Sequence, residues 1–160
     1  MTEPRRISPP KEYETLIDKL ADADKGIFKS KQAVMMFAAA LGKRFTGRKP
    51  RGSPGNGIRW YIFQEAGDEA FVNSLAISEK NDIKVLDPDL GEGEDVQTIF
   101  EEYAAGGFQY LKQHVMDAPG DLLENALAIV QQFQMANQPS PPGLEGLDSS
   151  TLELLGDLDR

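Results

Sequence analysis

The sequence predicts a mainly α fold with a small β element: a compact single-domain bundle of about five helices and one short hairpin or strand pair. Three observations carry this prediction. Apolar residues recur at three- and four-residue steps over most of residues 10–136, which places them on one face of successive helices. N-cap residues and glycines punctuate that pattern where helices should start and stop. One stretch, Ile58 through Phe63, alternates β-branched and aromatic residues with the period of a strand.

Taken in order, residues 1–9 read as a disordered leader closed by Pro9 and Pro10, and residues 137–160 as a flexible acidic tail. Between them, Tyr13, Leu16, Ile17 and Leu20 define a first helix over about 10–23. Ser30 is placed to cap a second helix that runs to Leu41, with Gly42 as its stop. Its apolar stripe, Val34, Phe37, Ala38 and Leu41, is widened by Met35, Met36, Ala39 and Ala40, so it is the expected centre of the core. Residues 47–57 hold four glycines and two prolines, the composition of an exposed, mobile loop.

Residues 58–63 then read as a strand, and 83–86 as a second one able to pair with it. Between them a third helix begins at Gly67-Asp68, buries Phe71, Val72, Leu75 and Ala76, and ends at Asn81. Asp95 caps a fourth, carrying Val96, Ile99, Phe100 and Tyr103, then Phe108, Leu111 and Val115 beyond Gly106-Gly107. Two adjacent glycines cost about 1 kcal/mol each in a helix interior, so they imply a kink or a close helix crossing. Pro119-Gly120-Asp121 opens the last helix, with Leu122, Leu123, Ala126, Ile129, Val130 and Phe133 expected inside.

Charge is the chain's most uneven property. Residues 25–64 hold nine Lys or Arg and no Asp or Glu, in a chain whose formal total is -9. A segregated positive zone of that size can attract polyanions despite the acidic total. With no cysteine there is no thiolate chemistry and no Cys-based metal site, and with one His no His-rich metal centre. The start has no signal-like apolar run, and no stretch approaches the roughly 18 apolar residues of a membrane span, so a cytoplasmic protein without membrane contact is expected.

Candidate chemistry is sparse. Gly42 to Lys49 has two glycines five apart, but the second is followed by Arg48-Lys49 instead of Lys and a hydroxyl residue, and the segment closes a helix where a phosphate loop opens one. His114 and Asp117 stand three apart, yet a lone His at a helix end is more often structural than catalytic. The acidic run Asp87, Asp89, Glu92, Glu94 and Asp95 lacks calcium-loop spacing and reads as a solvated linker. No catalytic residue, metal ligand or cofactor is therefore expected.

The basic zone is the stronger signal. Lys43, Arg44, Arg48, Lys49 and Arg51, helped by Lys29, Lys31 and Arg59, form the candidate nucleic-acid-binding set, gripping the DNA backbone without base readout. The plainer reading is that these cations complement an acidic neighbouring subunit or acidic regions of their own chain. In the tail, Leu152, Leu155 and Leu158 suggest a short helix that docks on a protein partner.

The blocks Gly26-Ile27-Phe28-Lys29 and Met36 through Gly42, then Ile58-Arg59-Trp60 with Asp68-Glu69-Ala70, then Ile99 to Ala104 with Gly106-Gly107, resemble the DNA phosphorothioation-associated protein 4 family. The resemblance implies small bacterial proteins associated with modification or restriction of phosphorothioate DNA in defence against phage. It supplies no catalytic residues. Three functions are weighed: a non-enzymatic accessory that grips nucleic acid and contacts other subunits of such a complex; a pure protein adaptor whose basic loop docks on an acidic subunit; and a metal-dependent nuclease subunit.

Overall fold

A computed structural model describes residues 5–87, 89 and 94–137. Two compact units divide the chain, Met1–Ala126 and Leu127–Arg160. The first holds strand β1 (Arg6–Ile7), helix α1 (Glu14–Leu20), α2 (Lys31–Leu41), strand β2 (Ile58–Arg59), α3 (Trp60–Glu65), α4 (Glu69–Lys80) and α5 (Val96–Leu111). Helix α6 (Leu122–Ala136) runs from the first unit into the second. The fold is mainly α with a small β element.

Helices α2 and α5 form the centre of the first unit. Val34, Met35, Ala38, Ala39 and Leu41 of α2 and Ile99, Phe100, Tyr103, Ala104, Phe108 and Leu111 of α5 are buried. Each fully buried Phe contributes about 1.5–3 kcal/mol by leaving water. Glycine decides how closely the two helices approach. A Cβ added at Gly107 would overlap the Ala38 carbonyl, and one at Gly42 the Tyr103 carbonyl. The glycine pair in α5 is thus a close crossing, and it leaves the helix unbroken over Val96–Leu111.

Caps follow the sequence closely at several ends. Ser30 accepts the Ala33 N–H at 3.2 Å and Asp95 the Thr98 N–H at 2.7 Å, satisfying N–H groups that the first turn leaves without partners. Asn81 ends α4 in the left-handed region at φ 52°, a conformation Asn tolerates better than most residues. Gly42 does not stop α2. The chain continues through a π-helical turn, Gly42–Thr46, to Gly47 at φ 75°, and α5 ends in a second π turn, Lys112–Met116.

The β element differs from the expected one. Ile58–Arg59 is a strand, but its partner is Arg6–Ile7, antiparallel, with Arg6 opposite Arg59 and Ile7 opposite Ile58. Residues expected in a disordered leader thus supply β1, and Ile7 is wholly buried. Trp60 onward is helical because Phe63 turns inward, edge-on to Phe100 at 5.7 Å. Ile83–Leu86 is a 3-10 turn, so the pairing of 58–63 with 83–86 does not form. In α6, Ala126 and Ile129 are buried, whereas Leu123, Val130 and Phe133, expected inside, are 37–47% exposed.

Candidate nucleic-acid interface

The loop after α2 is pinned along its length. The Lys49 N–H donates to the Glu102 carbonyl at 3.0 Å, the Lys11 N–H to Ser53 O at 2.9 Å, and the Gly55 N–H to Pro9 O at 2.7 Å. Thr46 Oγ1 donates to the Gly106 carbonyl at 2.7 Å. The segment therefore lies against α5 and the N-terminal residues, where the sequence suggested a mobile loop.

Arg48 is the strongest of these anchors. Its Nε reaches Glu102 at 2.8 Å, Nη1 reaches Glu79 at 2.9 Å, and Nη2 reaches Glu94 at 2.9 Å and Glu102 at 2.5 Å. Burial works to lower the guanidinium pKa, but the hydrogen bonds to Glu94, Glu79 and Glu102 outweigh it and the net shift is upward. The carboxylates respond in kind. Glu79 is held below the ordinary carboxylate range by the Tyr103 hydroxyl and then by Arg48, and Glu94 by Arg48 and then by Lys80. Burial, together with the neighbouring Glu79, pushes the Tyr103 hydroxyl up to about 12.

Arg51 is engaged in the same way. Its Nη1 meets Glu101 at 2.9 Å, and Glu101, only 2% exposed, also accepts the Ser8 N–H at 2.8 Å. Burial raises the Glu101 carboxyl, against the pull of the Ser8 N–H, Arg5 and Arg51. Lys31 pairs with Asp18 at 3.0 Å. For Arg48, Arg51 and Lys31 the plainer reading of the basic zone therefore holds: they complement acidic residues of their own chain.

The other predicted cations are exposed but not in one cluster. The Lys43 ammonium lies 3.5 Å from the Tyr103 hydroxyl and 5.2 Å from its ring centre. Arg44 covers the Phe45 ring at 5.7 Å. Lys43 and Lys49 make no salt bridge among the described residues. Lys29 precedes α2 at its other end, about 16 Å away along a helix of 11 residues. Arg59 sits on β2 directly opposite Arg6, and both are exposed. Sequence reasoning set Arg6 aside with the leader and so missed this cationic pair. Leu152, Leu155 and Leu158 lie outside the described residues.

His114 and Asp117 do not act together. Asp117 faces Lys112 at 3.5 Å, while the His114 ring stacks on Tyr110 at 4.1 Å. In the acidic run, Glu94 is taken by Arg48 and Lys80, and Asp95 caps α5 and reaches Arg5 at 3.4 Å. Among the described residues no helix is long and apolar enough to cross a membrane.

A mainly helical, internally charge-paired domain with exposed lysines along the segment that follows α2 is the class of protein that fold and site define. The chain belongs to the DNA sulphur modification system-associated protein 4 family, whose model matches residues 6–144. No curated protein and no solved structure matches significantly.

Proposed function

We propose that this protein is a non-enzymatic accessory of a bacterial DNA sulphur-modification system linked to defence, and that it contacts the nucleic-acid backbone through Lys43, Arg44 and Lys49. The family supports the accessory role. The observation that carries the contact is the exposure of Lys43, Arg44 and Lys49 on the segment that follows α2, in a chain of net charge -9, with Lys43 and Lys49 outside every salt bridge of the described residues. Arg48 and Arg51 are assigned instead to holding the loop in place, since their guanidinium donors are directed at Glu79, Glu94, Glu101 and Glu102. Arg6 and Arg59 form a second basic spot, where two like charges opposite each other favour an anion between them.

The test is duplex DNA affinity across a salt series. Each phosphate contact contributes a slope of about 0.9 in log K against log salt, so Lys43→Ala with Lys49→Ala should flatten the slope by roughly 2. An unchanged slope removes the proposal. A second reading, a protein adaptor, draws on α6, where Leu127 and Val130 are 48% and 37% exposed. A Leu127→Asp, Val130→Asp variant that loses a subunit of the complex while keeping DNA affinity would favour it.

A further inference from the structure

The two π turns bring Phe45 and His114 onto Tyr110 of α5, so that three aromatic rings form one column. Phe45, from the turn after α2, stacks on Tyr110 at 4.6 Å and 7°, and Tyr110 stacks on His114 at 4.1 Å and 28°. Arg44 lies over Phe45 at 5.7 Å. Phe45 is 40% exposed, Tyr110 is half-buried between its neighbours, and His114 is exposed. The column thus ends on an exposed imidazole that, among the described residues, makes no hydrogen bond or ion pair and stacks on Tyr110 alone. The turns that carry the two outer rings, Gly42–Thr46 and Lys112–Met116, contain Lys43, Arg44 and Lys112 and no carboxylate, and Tyr110 between them belongs to α5. The nearest one in sequence, Asp117, meets Lys112 at 3.5 Å with both side chains 57% exposed, a pair that solvent screens strongly.

Stacked rings that end on an exposed imidazole, with Arg44 over Phe45 and Lys43 and Lys112 on the same two turns, match one chemistry well. An unpaired base has a flat π face to extend the column and a phosphate on either side to meet the lysines, and such stacking accepts any base. A duplex offers the phosphates but no free base face, because its bases are already stacked on each other. An aromatic side chain of a partner protein could also stack, but it would bring no phosphate to the three cations.

We infer that Phe45, Tyr110 and His114 form a stacking platform for unpaired bases of single-stranded DNA, with Lys43, Arg44 and Lys112 as its phosphate-binding rim. This deepens the nucleic-acid reading above and rests on it. The column then works as one unit. Phe45 and Tyr110 hold the imidazole flat, and the first base lies on its outer face.

The chain's single histidine gives the experiment a reporter that needs no assignment. Adding oligothymidylate to the full chain should move the imidazole proton resonances of His114 upfield, as a ring current from a stacked base does, and duplex DNA should not. By fluorescence anisotropy, His114→Ala should weaken oligothymidylate binding by roughly 5- to 100-fold, and His114→Phe should restore most of it. Duplex affinity should be unaffected by either change.

Equal weakening of single-stranded and duplex binding by His114→Ala overturns the platform while leaving the backbone contact standing. A platform that responds to His114→Ala but not to Lys43→Ala with Lys49→Ala overturns the backbone reading and keeps the stack. Tighter binding of the matching RNA, or an imidazole shifted only by a partner protein, overturns the assignment to single-stranded DNA. His114 is exposed, so its variants should fold, and an unchanged denaturation midpoint verifies that they do.

Discussion

Arg48 shows how one residue can change meaning between sequence and structure. As one of nine cations in an acid-free stretch it reads as a phosphate ligand, yet in the fold three carboxylates from α4, α5 and the segment before α5 converge on it. With 19% of its side chain exposed, Arg48 pairs in an intermediate dielectric, where removing one partner leaves the others uncompensated. Arg48→Ala should cost about 2–3 kcal/mol, less than the 3–5 of a fully buried pair because the carboxylates keep partial hydration. Arg48→Lys should recover only part, since one ammonium cannot reproduce a planar fork. Urea denaturation measures both. A phosphate-binding Arg48 would instead leave stability intact and weaken DNA affinity. Glu101 offers a parallel case: Glu101→Leu would strand Arg51 and the Ser8 N–H, and a loss of about 2–4 kcal/mol is expected in the same assay.

Among elements, the α2–α5 crossing puts helix propensity and packing in opposition. Propensity alone says that Gly107→Ala stabilises α5 by up to about 1 kcal/mol. The crossing says the reverse, because the new methyl group would enter the Ala38 carbonyl, and backbone cannot move aside as a flexible side chain can. A net loss of at least about 2 kcal/mol is expected, read as a lowered thermal midpoint. Much of this level was legible beforehand. The 3.6-residue period located α2, α4, α5 and α6, and Ser30, Asn81 and Asp95 marked ends that the structure keeps. The strand pair was not legible, because β2 finds its partner in a two-residue strand too short to show any period. Ile58 to Phe63 alternates as a strand would, and the burial of Phe63 against Phe100 overrides that local preference. The ion pairs lie 31 to 54 residues apart in sequence, beyond any local pattern. One clue was present: Glu101 falls a helical step before Ala105 and Phe108 on the buried side of α5, where a carboxylate demands a cationic partner. The aromatic column had a weaker clue in Tyr110 and His114, four apart on one helix face, with no hint of Phe45.

Across the whole molecule, the cationic segment is held against acidic residues of the later chain, so folding and charge state are linked. Glu79 and Glu94 have folded pKa values below their ordinary 4.5, set first by Tyr103 for Glu79 and by Arg48 for Glu94. A lowered folded pKa means that the contribution is complete above 4.5 and is lost as pH falls through the folded value. Glu101 runs the other way: burial raises it, so its contribution is present at low pH and is lost as pH rises through its folded pKa. Three lowered groups, Glu79, Glu94 and the exposed Asp22 that the Lys25 and Asp24 N–H groups hold down, oppose one, and Glu79 and Glu94 meet the same guanidinium. Stability should therefore hold from neutrality down to the ordinary carboxylate range and decline below about 4.5. Arg48→Ala should shift the whole curve down and also flatten the acid limb, because Glu79 and Glu94 then titrate closer to their unfolded values. Urea midpoints at a series of pH values separate the two effects. Parallel curves for the wild type and the variant would mean that the acid limb arises elsewhere, and that Arg48 holds the loop by packing and geometry without setting the charge state of the carboxylates around it.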